Sequence, residues 1–140
     1  TNGQAKGKYS RGFTAFAVIY LQDVDEPDSG NFTVWPRTHT FFENWFRERG
    51  GHEILTEGMP RPELPEPPLM VCAKAGDLVI AHHAMVHGAC LNASSNVRLA
   101  TIARLRHVDV DENGPDAYLD IWKEWDGVRE VLKEAEPELA

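Results

Sequence analysis

The stretch AGDLVIAHHAMVHGACLNASSNVRLATIARL, residues 75–105, contains the patterns that decide the fold. An AGD turn leads into the apolar run 78–81, which has the length of a strand rather than of a helix. A second strand is predicted at 97–105, because its residues alternate between two faces. One face carries Val97, Leu99, Thr101, Ala103 and Leu105, and the other carries Arg98, Ala100, Ile102 and Arg104. The stretch therefore predicts neighbouring antiparallel strands, with Arg98 on the inward face.

The remainder of the chain extends this pattern in both directions. Strands are predicted where β-branched and aromatic residues cluster between turn formers, and helices where apolar residues recur at helical spacing. The predicted strands outside the stretch are 13–21, 32–35 and 69–73. One helix is predicted from Thr38 or Thr40, as a cap, to about Arg49; a loop is predicted at 109–115 and a C-terminal helix at 116–136. We expect a single domain, 1–140, mainly β with peripheral helices.

Composition excludes several classes of partner. The formal net charge of −8 over 140 residues argues against nucleic acid or an anionic membrane as the main partner. No apolar run approaches the length of a membrane-spanning helix, and no secretory signal is visible. Cys72 and Cys90 stand outside any C-x-x-C pair or disulfide framework, which fits two buried free thiols in a cytoplasmic protein.

Three of the six histidines fall between positions 82 and 87. His82 and His83 are adjacent on a predicted strand, so at most one of them faces inward. His87 opens the next strand, and Arg98 follows it by eleven residues. A neutral imidazole suits ferrous iron, and a buried guanidinium suits a bidentate grip on a carboxylate. A metal-bound 2-oxo acid needs this combination of ligand and cation on neighbouring strands.

Two segments, in order, resemble the phytanoyl-CoA dioxygenase-like oxygenases. They are SGNFTVWPRTH at 29–39 and GDLVIAHHAMVHGACLN at 76–92, followed by Arg98. The resemblance covers roughly residues 10–106. It implies a double-stranded β-helix, a cupin-like jelly-roll barrel, that uses Fe(II) and 2-oxoglutarate to hydroxylate a small molecule.

The resemblance also implies roles for individual residues. His87 matches the distal iron-binding histidine, and Arg98 matches the residue that pairs with the distal carboxylate of 2-oxoglutarate. His39 matches a structural histidine, and Arg37 replaces the glycine usual before it. His82 matches a position expected to lie close to the site without binding iron.

The chain departs from the family at the first two iron ligands. These form a His-x-Asp or His-x-Glu motif shortly before the strand that corresponds to 13–21, but no histidine here precedes His39. The sequence His107-Val108-Asp109 follows the arginine strand, in the wrong order for this fold. Because the chain begins at Thr1 in a hydrophilic run without Met, we expect that the motif lies upstream and that the barrel is incomplete at its N-terminus. The 140 residues alone are expected to bind iron weakly and to be inactive.

Several alternatives stay open from the sequence. A cupin-like binding module without metal is the main rival. A third hypothesis is a different metal site built from His82, His87 and a carboxylate such as Asp77. The proline-dense segment 57–68 is interpreted either as a lid beside the site or as a surface loop. Asn92 is predicted to form a turn. Cys90 lacks an activating base, so it is not expected to act as a nucleophile.

Overall fold

The computed structural model describes residues 12–49 and 61–135 of the chain. Within these ranges there are six strands: β1 (Ala15–Tyr20), β2 (Phe32–Val34), β3 (Leu69–Val71), β4 (Leu78–His82), β5 (His87–Ala89) and β6 (Ala100–Leu105). The same ranges contain three α-helices: α1 (Thr38–Glu48), α2 (Val110–Asn113) and α3 (Val128–Ala135). All five predicted strands are present, most of them shorter at their ends, and His87 opens β5 as predicted.

The strands form two antiparallel three-stranded sheets, with the orders β4-β1-β6 and β3-β2-β5. Phe16, Val18 and Tyr20 point from β1 towards Phe32 of β2 and form one apolar core with it. The two sheets therefore pack face to face, as alternating strands with one apolar side require. Neither sheet closes into a barrel within the described ranges. The expectation of a mainly β fold with peripheral helices is confirmed at that level.

The outer face of the first sheet is apolar as well. Ile19 of β1 pairs with Leu78 of β4, and both side chains point away from the core. Ile80 lies 56% exposed on the same face, and Leu105 of β6 lies 46% exposed.

None of the helices in residues 12–49 and 61–135 has the length and apolar character that crossing a bilayer requires.

A second core joins α1 to the C-terminal segment. Phe42 and Phe46 are buried against Tyr118 and Ile121. The buried carboxylate of Glu43 accepts the backbone N–H of Ile121 at 3.2 Å and therefore ties the helix to this segment. Helix α1 and the residues after β6 thus form a layer beside the sheets.

The start of α1 differs from its prediction. Neither Thr38 nor Thr40 is the N-cap; the cap residue is Arg37, at φ 57° in the left-handed region. The Thr38 hydroxyl donates to Trp35 O at 2.7 Å and accepts the Val86 N–H at 2.9 Å. Arg37 therefore occupies a left-handed conformation that glycine adopts more freely.

The predicted C-terminal helix 116–136 is not continuous. Its first part is a 3₁₀ helix, Gly114–Tyr118, followed by turns up to Gly127, whose φ is 79°. Only Val128–Ala135 is α-helical, and residue 136 lies outside the described residues. The predicted loop 109–115 contains α2. The prediction was wrong because the tryptophans of this segment pack against histidine rings, a tertiary contact that overrides helical periodicity.

Candidate functional site

A cavity of about 660 Å³ lies between the two sheets. Its walls are apolar, formed by Phe16 and Val18 of β1, Phe32 of β2 and Ile102 of β6. The polar side chains that line it are His87, Arg98 and Arg104. The two residues that the sequence singled out, His87 and Arg98, therefore line one cavity.

The His87 ring is held in a defined tautomer. Nδ1 lies 2.8 Å from the carbonyl oxygen of Met85, which can only accept, so Nδ1 carries the proton of the neutral ring. The ring is packed edge-on against Phe16, with centroids 4.4 Å apart, and lies 5.8 Å from the Phe32 ring. Nε2 is left with a lone pair, which is the state in which a histidine binds a metal.

Arg98 is fixed through only one of its three guanidinium nitrogens. Nε donates to the carbonyl oxygen of Gly30 at 2.7 Å. Within the described part of the chain, the two Nη atoms have neither a hydrogen-bond partner nor a carboxylate partner. A half-buried guanidinium with both Nη groups free is suited to bidentate binding of a carboxylate.

Asn31 supports this arginine, although no sequence pattern predicted a role for it. It is fully buried; its Oδ1 accepts the Ser29 N–H at 3.0 Å, and its Nδ2 lies 3.2 Å from both Glu26 O and Val71 O. These bonds fix the turn that positions Gly30. The Gly-Asn pair within SGNFTVWPRTH was the available signal, but a buried asparagine and a turn asparagine look alike in sequence.

His82 does not line the cavity. It pairs with Ala15 in the β1–β4 register, whereas the cavity residue Phe16 pairs with Ala81, so His82 points to the opposite face. Its Nε2 lies 2.7 Å from Ile121 O, and its Nδ1 accepts the Ala84 N–H at 3.0 Å. The expectation that His82 lies close to the site was wrong: both ring nitrogens are engaged in the second core.

The half-buried His39 and the buried His83 contact aromatic rings outside the cavity. The His39 ring lies 5.7 Å from the His82 ring and 5.4 Å from the Trp122 ring, centroid to centroid. Burial lowers the pKa of His39 below its usual value. The His83 ring packs edge-on against Tyr118 at 5.2 Å. None of these rings lines the cavity, which agrees with a structural role for His39.

The alternative metal ligands do not converge. Asp77 accepts the Lys74 N–H at 2.7 Å in the AGD turn, at the end of β4 remote from His82, so the hypothesis of an Asp77–His82–His87 site is wrong. His107 Nδ1 accepts the N–H of Asp109 at 3.2 Å in a local turn away from the cavity. Across residues 12–49 and 61–135, no three His, Cys, Asp or Glu side chains are grouped to hold a metal ion.

The cysteines are free but less buried than expected. Cys72 is exposed and Cys90 half-buried, and both sulfurs contact Asn31 from opposite sides. Cys72 and Cys90 therefore lie on the two sides of β2, and their backbones are two strand spacings, or roughly 9–10 Å, apart. This separation is too large for a disulfide. Asn92 forms a turn as predicted, because its Oδ1 accepts the Ser94 N–H at 3.1 Å.

The described part of the proline-dense segment, residues 61–68, packs beside α1. Leu64 contacts the second core, and Glu66 forms an ion pair with Arg37. Residues 57–60 lie outside the described residues. Nothing in 61–68 lines the cavity, so this part is a surface loop and not a lid.

Comparisons with family models, with curated protein sequences and with solved structures found no match to this chain.

Proposed function

We propose that this protein is a non-haem Fe(II)- and 2-oxoglutarate-dependent oxygenase of the phytanoyl-CoA dioxygenase type. The proposal places it in the cytoplasm, acting on a small molecule, with the two sheets forming part of a jelly-roll barrel. One observation carries it: the imidazole of His87 and the guanidinium of Arg98, eleven residues apart in sequence, line the same cavity.

The groups present fit an iron-bound 2-oxo acid. His87 has its Nδ1 proton engaged by Met85 O, and would bind the metal through Nε2. Arg98 would hold the distal carboxylate through its two Nη groups while Nε keeps the side chain on Gly30. Iron and 2-oxoglutarate, when bound, supply the oxidative decarboxylation that leads to hydroxylation of a C–H bond. The protein's share is to orient both groups between the two sheets, against the apolar side chains of Phe16, Val18 and Phe32.

The proposal requires two further iron ligands from outside the described residues. The chain approaches β1 next to His87: the Phe13 ring lies 4.3 Å from the Phe16 ring, which in turn contacts His87. Phe13, two residues before β1, therefore lies close to the proposed metal position. The family's His-x-Asp motif precedes this strand, so the proposal requires ligands of this kind near the start of β1.

The rival function is a cupin-like binding module that has lost its metal. It is favoured by the lack of a three-residue metal group in residues 12–49 and 61–135. The encoded sequence upstream of Thr1 distinguishes the oxygenase from the binding module. A His-x-Asp or His-x-Glu within about fifteen residues supports the oxygenase, given that a strand and its preceding turn span about that length.

Consumption of 2-oxoglutarate with Fe(II) by the full-length protein tests the function. We expect turnover in the wild type, its loss in His87→Ala, and its retention in His107→Ala, which removes a histidine away from the cavity. Equal consumption by the wild type and His87→Ala would rule out His87 as a ligand.

A further inference from the structure

Arg104 is a second cation in the same cavity. It lies on β6 opposite Phe16 of β1, so it shares the inward face with Ile102. Its Cζ lies 5.6 Å from the Phe13 ring centroid and 5.9 Å from the Phe16 ring centroid. These distances place the guanidinium over the aromatic wall that also contacts the His87 ring.

The Arg104 guanidinium has no carboxylate to neutralise it among the described residues. Arg106, two positions further along, shows what a paired arginine does here: it donates to Gly12 O at 3.0 Å and to Asp111 at 2.8 Å. Arg104 makes contacts with aromatic rings instead. The sequence does not lack acids, with 22 Asp and Glu against 14 Lys and Arg, but no acidic side chain of residues 12–49 or 61–135 lines the cavity.

A cavity with two arginines and no carboxylate attracts anions, although the chain as a whole is acidic. Arg98 is tied to Gly30 at one end of the inward face, and Arg104 is held over Phe13 and Phe16 at the other. The geometry thus offers two separate anion sites, Arg98 just before β6 and Arg104 on it, with the apolar side chain of Ile102 between them.

We propose that Arg104 binds the anionic headgroup of the substrate, whose apolar body lies against Phe16 and Ile102. The substrate class is then an organic carboxylate or phosphate monoester rather than a neutral molecule. The inference rests on the proposed function for the reaction itself, but its binding test does not need iron or turnover.

Backbone-amide NMR titrations of the full-length protein with hexanoate, hexyl phosphate and 1-hexanol test this inference. The three probes share a hydrocarbon chain and differ in the headgroup. We expect wild-type protein to bind hexanoate or hexyl phosphate about tenfold more tightly than 1-hexanol, with shifts in β6 amides. The tighter of the two anions identifies the headgroup.

Arg104→Met keeps an unbranched apolar side chain and removes the charge. The Arg104→Met variant should prefer the hexyl anion over 1-hexanol by about threefold or less, whereas Arg104→Lys should keep most of the wild-type preference. Arg61→Gln removes an exposed charge outside the cavity and should leave the preference unchanged. An undiminished preference in Arg104→Met, or no preference in the wild type, overturns the inference.

Binding of 2-oxoglutarate separates this inference from the proposed function. Arg104→Met should leave the dissociation constant of 2-oxoglutarate within about threefold of wild type. If Arg104→Met weakens 2-oxoglutarate and not the hexyl anions, Arg104 anchors the cosubstrate and the inference is wrong. If 2-oxoglutarate does not bind at all while the anion preference depends on Arg104, the oxygenase proposal fails and the anion site stands.

Discussion

Arg98 lies directly against the backbone of Gly30: its Nε donates to the Gly30 carbonyl oxygen at 2.7 Å, and a Cβ added to Gly30 would lie 3.3 Å from the Arg98 Cβ. Gly30 also has a φ of 72°, which side chains rarely allow. Two independent features therefore favour glycine here, and one of them is the contact with the residue that the proposal assigns to the cosubstrate.

Gly30→Ala should destabilise the fold by about 1–2 kcal/mol from the left-handed backbone, with a further cost from the contact with Arg98. It should also weaken binding of 2-oxoglutarate, because Arg98 must move. Urea unfolding and calorimetry measure the two effects. Gly88→Ala is the control, since a Cβ there meets no atom within 4 Å and Gly88 has no left-handed φ; equal stability of the two variants would contradict the account.

Arg37 has a strained backbone conformation at the start of α1. This strain predicts which of its glycine and alanine variants is the more stable. Both substitutions remove the exposed ion pair with Glu66, which contributes little. Arg37→Gly should be more stable than Arg37→Ala by about 1 kcal/mol, because only glycine relieves the φ of 57°. The exposed helical residue Asn44 should give the opposite order, with Ala more stable than Gly. If the Gly and Ala variants had the same order of stability at positions 37 and 44, the strain at Arg37 would be refuted.

Asn31 should behave as a buried hydrogen-bonding centre. Asn31→Ala leaves the Ser29 N–H and the Glu26 carbonyl without this partner, removes one of two donors to Val71 O and opens a cavity. We therefore expect a loss of about 2–4 kcal/mol in the free energy of unfolding. Asn44→Ala, on the exposed face of α1, should change it by less than about 0.5 kcal/mol. Thermal and urea denaturation compare the stabilities of Asn31→Ala and Asn44→Ala. Similar small losses in both variants would show that the hydrogen bonds of Asn31 do not stabilise the fold.

The half-buried His39 gives the stability a pH dependence of defined sign. Burial lowers its pKa in the folded protein, whereas the unfolded chain keeps a pKa of about 6.5. Below that pH the unfolded state binds more protons, so the contribution of neutral His39 is complete above about pH 6.5 and declines as the pH falls. The free energy of unfolding should therefore drop more steeply between about pH 7.5 and pH 5 in the wild type than in His39→Phe. Parallel pH profiles would be incompatible with this account.

Local patterns in the sequence were sufficient to predict the strands and the two inward groups. Alternation on the last strand placed Arg98 and Ile102 on the inward face, and the short link after β4 placed His87 at the start of β5. Long-range contacts decided what the sequence missed. His82 points away from the cavity because Ile121 and the tryptophans cover the other face of β4. The predicted C-terminal helix is interrupted in the segment that makes those contacts.

The central claim is that His87 and Arg98 bind the two ends of one 2-oxo diacid. Calorimetry of 2-oxoglutarate and pyruvate, with Fe(II) and without oxygen, tests it most directly. Pyruvate has the same 2-oxo acid group and lacks the distal carboxylate that Arg98 would bind.

Wild-type full-length protein should prefer 2-oxoglutarate over pyruvate by about 100-fold, and Arg98→Met should reduce this preference to about threefold or less. His87→Ala should abolish the iron-dependent part of the binding of both acids. A preference for 2-oxoglutarate that is unchanged in Arg98→Met, or iron-dependent binding that is unchanged in His87→Ala, would contradict the claim.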